Sequence, residues 1–398
     1  MKILYRLYQA LLRIVSKILP WRVPTLYEGS GSLQKLELIL NDLAIKKVFI
    51  VTDQGLVDTG LVNQLLKILQ KNQVEYYVFD ETESNPSIDT VLKAKVKYIN
   101  QQSEAIIAFG GGSPIDCAKV LGASIVRPNK NIEKMKGILK VRKKIPTLIA
   151  IPTTAGTGSE ATLAAVISNP LTKEKYAIND HALIPHYAIL DATLTLDLPP
   201  SLTAYTGMDS LTHAVEAYIG RSNTKETIRW SEEAVKLIHE SLLDAYHNPA
   251  QRNAREKMLK ASYLAGLAFT RAYVGNIHAI AHTLGGFYRL PHGYTNAVIL
   301  PCVLRYYKAS VYKPLAKLAR IINSDLTSST DEAAATFFIE WIEGLNTTFS
   351  IPKTIPEIQP KDIPLMAKRA YHEANPLYPV PKILKKSEFI DLYYQLKA

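Results

Sequence analysis

Cysteine is nearly absent from this chain: only Cys117 and Cys302 occur among 398 residues. Two thiols cannot build a disulfide framework, and a reducing compartment, the cytoplasm, is expected. Neither lies in a Cys-x-x-Cys pair, which excludes a structural zinc site built on thiolates. The chain also lacks internal repeats, low-complexity tracts and the G-x-G-x-x-G fingerprint, so an ordinary Rossmann domain is not expected. A net charge of +11 raises nucleic acid as a partner. However, no RNP, zinc-finger or helix-turn-helix pattern accompanies it, and no nucleic-acid partner is expected.

Acidic residues are missing from the amino terminus up to Glu28. Residues 1–24 read as a basic amphipathic helix. Lys2, Arg6, Arg13 and Lys17 share one face with Gln9 and Ser16, while Leu4, Leu7, Leu11, Ile14, Val15 and Ile18 form the other. That is the pattern of a helix lying in a membrane interface, which would make the protein peripheral at a membrane surface. The alternative is a helix whose apolar face packs on its own protein or on a second subunit. Its basic residues interrupt any span of about 18 apolar residues, and no small-residue cleavage site follows an apolar core, so neither a membrane span nor a secretory signal is expected.

The composition of the whole chain is ordinary for a globular protein, 47% hydrophobic and 21% charged. VFIVTD (48–53), VEYYVFD (74–80), AIIAFGGGS (105–113) and TLIAIPTT (147–154) are short β-rich runs ended by turn residues. Stretches with helical spacing separate them, which predicts a parallel sheet with helices on both faces. ATLAAVIS and YAIND...HYAILD add further strand-like pieces. After Leu198-Pro199-Pro200 the periodicity is helical only. The expected organisation is therefore an α/β domain over 25–198 and a helical domain over 199–398.

FGGGSPIDCAK follows a buried strand and opens a helix. Its glycines permit close backbone approach, and free N–H groups at a helix start favour a phosphate. PTTAGTGSE (152–160) is a second Gly/Thr loop at a strand end, where open α/β sheets bind ligands. Asp53 ends the first strand run. A carboxylate there can accept from a ribose and would repel a 2′-phosphate, favouring NAD over NADP; it can equally cap the next helix. In the helical half, Asp209 and His213 stand one turn apart, as do His278 and His282, and His292 follows in a Pro-His-Gly turn. Imidazoles with one carboxylate suit a divalent transition metal.

GGGSPIDCAK, PTTAGTGSE, TGMDSLTHAVEAYI and AGLAF...HAIAHTLGGFYRLPHG...AVILP resemble, in order, the signatures of the iron-containing (group III) alcohol dehydrogenase family. The resemblance covers the chain from about residue 25 nearly to its end. It implies an N-terminal dinucleotide-binding α/β domain with a parallel sheet and an all-α C-terminal domain (the dehydroquinate synthase-like fold), with the active site in the cleft between them. It also implies a small-molecule alcohol or aldehyde substrate, NAD, and one divalent metal, Fe2+ or Zn2+; a homodimer is expected. The family's metal ligands fall on Asp209, His213, His278 and His292. His282 matches the histidine near the nicotinamide and is the candidate catalytic proton handler. Cofactor positions fall on Asp53, Asn85, Gly111, Gly112, Ser113, Thr153, Thr154, Thr157 and Lys175. The run TRAYVGNIH departs from the family pattern, with Arg271 and Tyr273 expected to add bulk and charge near the pocket. Two other readings compete. A dehydroquinate synthase-type lyase would want a Lys/Arg-rich pocket, and a non-catalytic membrane-associated binding protein would want a broken ligand set.

Overall fold

Uninterrupted apolar runs favour strands buried on both faces, and such strands form the centre of this protein. The structure is a computed structural model that describes residues 2–18, 21–172 and 174–398, with the backbone alone for 15–18. Met1, Leu19 and Pro20, and the side chains of Val15, Ser16, Lys17 and Ile18 in the amphipathic pattern, thus lie outside the described residues. The strands are Thr25–Glu28 (β1), Lys47–Val51 (β2), Glu75–Phe79 (β3), Ala105–Gly110 (β4), Gly137–Ile138 (β5), Thr147–Pro152 (β6), Ala164–Asn169 (β7), Glu174–Asn179 (β8) and Tyr187–Leu190 (β9). Six of them form one sheet in the order β1-β9-β6-β4-β2-β3, every neighbouring pair parallel. β5, β8 and β7 form a small second sheet.

The helices are Lys2–Ile18 (α1), Leu36–Asp42 (α2), Gln54–Asp58 (α3), Asn63–Lys71 (α4), Ile88–Gln101 (α5) and Gly112–Val126 (α6), followed by Pro200–Ile219 (α7), Lys225–His247 (α8), Arg252–Ala272 (α9), Asn276–Tyr288 (α10), His292–Tyr307 (α11), Tyr312–Ile322 (α12), Asp331–Thr348 (α13), Ile363–Ala374 (α14) and Lys386–Leu396 (α15). Two compact units result: Trp21–Pro199 with His247–Tyr263, and a helical unit of α1, Pro200–Tyr246 and Leu264–Ala398.

In the sheet unit, successive residues of β2 point to opposite faces. Val48 and Ile50 pack with Leu36, Leu40, Leu65 and Leu69 of α2 and α4, whereas Phe49 and Val51 pack with residues of α5 and α6. The chain therefore changes face between β2 and β4, and the crevice beyond their carboxyl ends is where open α/β sheets place a ligand. The segment His247–Tyr263 is tied to this unit by Glu256, which accepts from Ser30 N at 2.9 Å, and by Lys260, which donates to Glu28 at 2.6 Å.

In the helical unit, α1 is turned opposite to the packing expectation. Arg6 and Gln9 of its polar face are turned inward, while Lys2 and Arg13 are exposed. Arg6 donates to the carbonyls of Val380 (2.7 Å) and Pro381 (3.0 Å), and buried Gln9 donates to those of Pro376 (2.9 Å) and Tyr378 (2.8 Å). Its apolar residues Ile3, Leu4, Leu7, Leu11 and Ile14 face solvent, between 58% and 79% exposed. Among the described residues no helix is long and apolar enough to cross a membrane.

Candidate metal centre and coenzyme loops

Three helices of the helical unit aim side chains at one point. On α7, Asp209, His213 and Glu216 recur at helical spacing and share a face. His278 sits in the first turn of α10, and His292 opens α11 after Pro291. Asp209, His213, His278 and His292 each offer one ligand atom, and these atoms all lie within 4.8 Å of one another. A shared ion about 2.0–2.2 Å from each atom would need them no more than roughly 4.4 Å apart, so a few tenths of an ångström of contraction suffice.

The polar groups around this cluster test the fit. The Asn296 side-chain nitrogen lies 2.7 Å from Asp209 Oδ1, 3.2 Å from His278 Nε2 and 3.3 Å from His292 Nε2. Two amide hydrogens thus face a carboxylate oxygen and two imidazole nitrogens, while Asn296 Oδ1 is buried with no hydrogen-bond partner. A carboxylate and imidazole nitrogens converging on one point are the arrangement a cation satisfies.

Glu216 sets the orientation of His278. Its carboxylate accepts from Gly275 N (2.8 Å) and Ile277 N (2.8 Å), capping α10, and contacts His278 Nδ1 at 2.6 Å. A carboxylate oxygen accepts, so Nδ1 carries the proton and the Nε2 lone pair points into the cluster. Gly275 is required for this approach, since a Cβ there would lie 2.6 Å from Glu216 Oε1. The His213 ring stacks between Phe269 (4.3 Å between centroids) and His278 (4.5 Å).

His282 lies one turn beyond His278 but outside the four-residue group. Its Nδ1 contacts Glu373 Oε1 at 2.6 Å, and the same oxygen accepts from Tyr378 at 2.9 Å. Its ring centroid is 5.2 Å from that of His292. Arg271 of the TRAYVGNIH run pairs with Glu226 and lies over the Trp230 ring at 5.0 Å, so its charge is engaged on α8.

In the sheet unit, the loops after β4 and β6 meet. A Cβ on Gly112 would stand 2.5 Å from Thr157 Cγ2, and one on Gly111 would stand 3.2 Å from Thr154 Oγ1, so only glycines allow both threonines this close to the start of α6. Thr153 N donates to Gly110 O at 3.0 Å. Lys175 donates to Asn85 Oδ1 at 2.6 Å, and Asn85 N donates to Ser113 Oγ at 3.3 Å, joining three separate segments. Asp53 caps α3 by accepting from Leu56 N at 3.1 Å, and burial raises its carboxyl above the usual range.

Four residues of the helical unit escape the sequence reading: Glu216, Asn296, Glu373 and Phe269. Glu216 and Asn296 do carry a signal, each standing at helical spacing from a candidate ligand, His213 and His292 respectively. In the sheet unit Lys119, Asp116 and Glu160 form a buried ionisable group. Lys119 donates to Thr162 O (2.9 Å) and Ala164 O (2.8 Å), while Glu160 Oε1 has no hydrogen-bond partner. Burial pushes Glu160 up from 4.5 to about 7 and Lys119 down from 10.5 to about 8. The folded protein therefore keeps a proton on Glu160 that the unfolded chain releases, so this group's contribution is full below pH 4.5 and is lost as pH rises to about 7. Lys119 acts in the opposite sense between about 8 and 10.5. Urea unfolding of the parent and Glu160→Gln should show their stability difference shifting by up to about 3 kcal/mol between pH 4.5 and 7. A difference independent of pH would show that Glu160 is ionised throughout.

The model of the iron-containing alcohol dehydrogenase family matches residues 24–192, and that of the Fe-containing alcohol dehydrogenase C-terminal family matches 203–396. Alcohol dehydrogenase 4 of Saccharomyces cerevisiae is 36% identical over 353 residues, 88% of this chain and 91% of its own length. The NAD-dependent methanol dehydrogenase of Bacillus methanolicus is 34% identical over 348 residues, 87% of this chain and 91% of its own. The solved alcohol dehydrogenase from Oenococcus oeni superposes with a TM-score of 0.90 at 35% identity, covering 95% of this chain and 99% of that one. The chain belongs to the iron-containing alcohol dehydrogenase family. It is a metal-dependent alcohol oxidoreductase, and neither the lyase nor the non-catalytic reading is favoured.

Proposed function

We propose that this protein is a cytoplasmic, homodimeric alcohol dehydrogenase that exchanges hydride between a small-molecule alcohol or aldehyde and NAD, with one divalent ion, Fe2+ or Zn2+, held by Asp209, His213, His278 and His292. The observation that carries the reading is the approach of those four ligand atoms to within 4.8 Å of one another. A divalent ion in that set would supply Lewis acidity, easing loss of the hydroxyl proton of an alcohol and polarising an aldehyde carbonyl. The chain's residues supply the rest. Asp209 contributes the negative charge and the three imidazoles their lone pairs, with Glu216 fixing the tautomer of His278. His282, its Nδ1 proton directed at Glu373, presents Nε2 as acceptor for the alcohol proton and returns it to solvent.

In this reading Gly111, Gly112 and Ser113 offer N–H groups at the start of α6 to the coenzyme phosphates. Thr153, Thr154 and Thr157 line the same place, and Asn85 and Lys175 hold the nicotinamide ribose. Asp53 accepts from the other ribose and disfavours a 2′-phosphate. The name of the Bacillus methanolicus relative supports NAD. Residues 1–24 provide peripheral contact with a membrane surface.

Protein purified without air, assayed for metal and then scanned with alcohols and aldehydes against NAD and NADP, tests the proposal. Turnover that follows Fe2+ or Zn2+ loading supports it, and a loaded protein inert to every alcohol and aldehyde would refute it. Asparagine retains the capping oxygen at position 53. Asp53→Asn should therefore keep the fold yet lower the preference for NAD over NADP by about tenfold, about 1.4 kcal/mol in kcat/KM. An unchanged ratio would leave Asp53 as a helix cap alone.

A further inference from the structure

Amphipathic helices in water normally bury their apolar face. α1 does the reverse, and its polar face is fastened by Arg6, Gln9 and Tyr5, whose hydroxyl lies 3.0 Å from that of Tyr371. The outward residues Ile3, Leu4, Leu7, Leu11 and Ile14 fall within an arc of about 100° on a helix of 3.6 residues per turn. From Ile3 to Ile14 they make a stripe about 16 Å long at 1.5 Å per residue.

The charges along this stripe select its occupant. A groove lined by Lys2, Ile3, Arg6, Leu7, Lys382 and Ile383 runs along one edge, bringing lysine side chains beside the apolar residues. Lys2, Arg13, Lys385 and Lys386 are exposed, and α1 contains no acidic residue. Glu388 at the start of α15 is engaged by Lys382 at 3.0 Å and by Lys385 N at 2.7 Å. Two copies of α1 packed about a two-fold axis would bring cations together without a carboxylate of α1 to meet them. An anionic lipid surface supplies both what the apolar stripe and what the cations require.

We propose that α1 is an interfacial anchor for anionic membranes, with Ile3, Leu4, Leu7, Leu11 and Ile14 inserted among acyl chains and the flanking lysines on the headgroup phosphates. This rests on the reading that residues 1–24 reach a membrane, and it adds the lipid class and the inserting face. The fastened polar side keeps the stripe outward before lipid is met, so no rotation of α1 is needed.

The test is co-sedimentation of the full chain with phosphatidylcholine vesicles, with and without phosphatidylglycerol, for the parent and for Leu7→Gln/Leu11→Gln. Both leucines are solvent-facing, so the double variant keeps the fold and its alcohol oxidation without lipid. Sedimentation velocity of both proteins in the absence of lipid accompanies it. The expected results are binding to the anionic vesicles only, a loss of about tenfold or more in the variant, and an unchanged oligomer. Equal binding to both vesicle types overturns the anionic assignment while leaving membrane contact standing. Undiminished binding of the variant overturns the assignment of the face. An absence of vesicle binding overturns the proposal, and a smaller oligomer in the variant identifies the stripe as a contact between copies. Turnover is read separately, so none of these outcomes depends on the dehydrogenase reading.

Discussion

Alanine in place of His292 should lower kcat for alcohol oxidation by about three orders of magnitude or more, about 4 kcal/mol in the barrier. It should also leave the purified protein with little bound divalent ion. His292 is the ligand of choice for this test because its side chain is 21% exposed, against 3% for Asp209, so truncation leaves the smaller cavity. Its removal takes one lone pair from a set of four, so an ion held there would lose one of its four protein ligands. Metal content by plasma emission, with steady-state rates at saturating alcohol, checks both effects. Full metal occupancy together with parental turnover would remove His292 from the site.

Glu216→Gln is expected to lower metal affinity by about 10–100-fold while the folded protein persists. The carboxylate accepts from two backbone N–H groups at the start of α10 and from His278 Nδ1. A glutamine keeps the shape but exchanges one acceptor oxygen for a donor. At the Oε1 position its NH2 opposes Ile277 N, and at the Oε2 position it opposes both Gly275 N and the Nδ1 proton; in either case His278 Nδ1 no longer meets a charged acceptor. Titration with Fe2+ or Zn2+ should show a weaker dissociation constant, with kcat largely restored at excess metal. That recovery separates a positioning residue from a ligand, because His292→Ala should not recover. A metal affinity unchanged by Glu216→Gln would reduce Glu216 to a helix cap.

The sheet was legible where one physical signal dominates. β2, β4 and β6 are continuous apolar runs, and their positions follow from the residues themselves. β1 is four residues at the sheet edge, two exposed and two half-buried, and β5 only two, so neither offers the length or burial a pattern needs. The attachment of His247–Tyr263 to the sheet unit was also illegible, since it depends on Glu28 and Ser30 more than 200 residues away in sequence. In the candidate site, helical spacing singled out Asp209 with His213 on α7 and His278 on α10, and the Pro-His-Gly turn singled out His292, the four residues whose side chains the fold brings together. Glu373 could not be found that way, because it meets His282 across 91 residues with no shared element. For α1 the sequence shows two unlike faces but not which one turns inward. That choice depends on the carbonyls of Pro376, Tyr378, Val380 and Pro381, whose positions only the folded chain defines.

The proposed chemistry depends on one cation held by a carboxylate and three imidazoles from α7, α10 and α11. An anomalous-difference map from crystals of protein purified without air would locate that ion. A single strong peak is expected about 2.0–2.2 Å from ligand atoms of Asp209, His213, His278 and His292, with the Asn296 amide moved aside. A map with no peak there, or with its peak on other residues, would contradict the proposal.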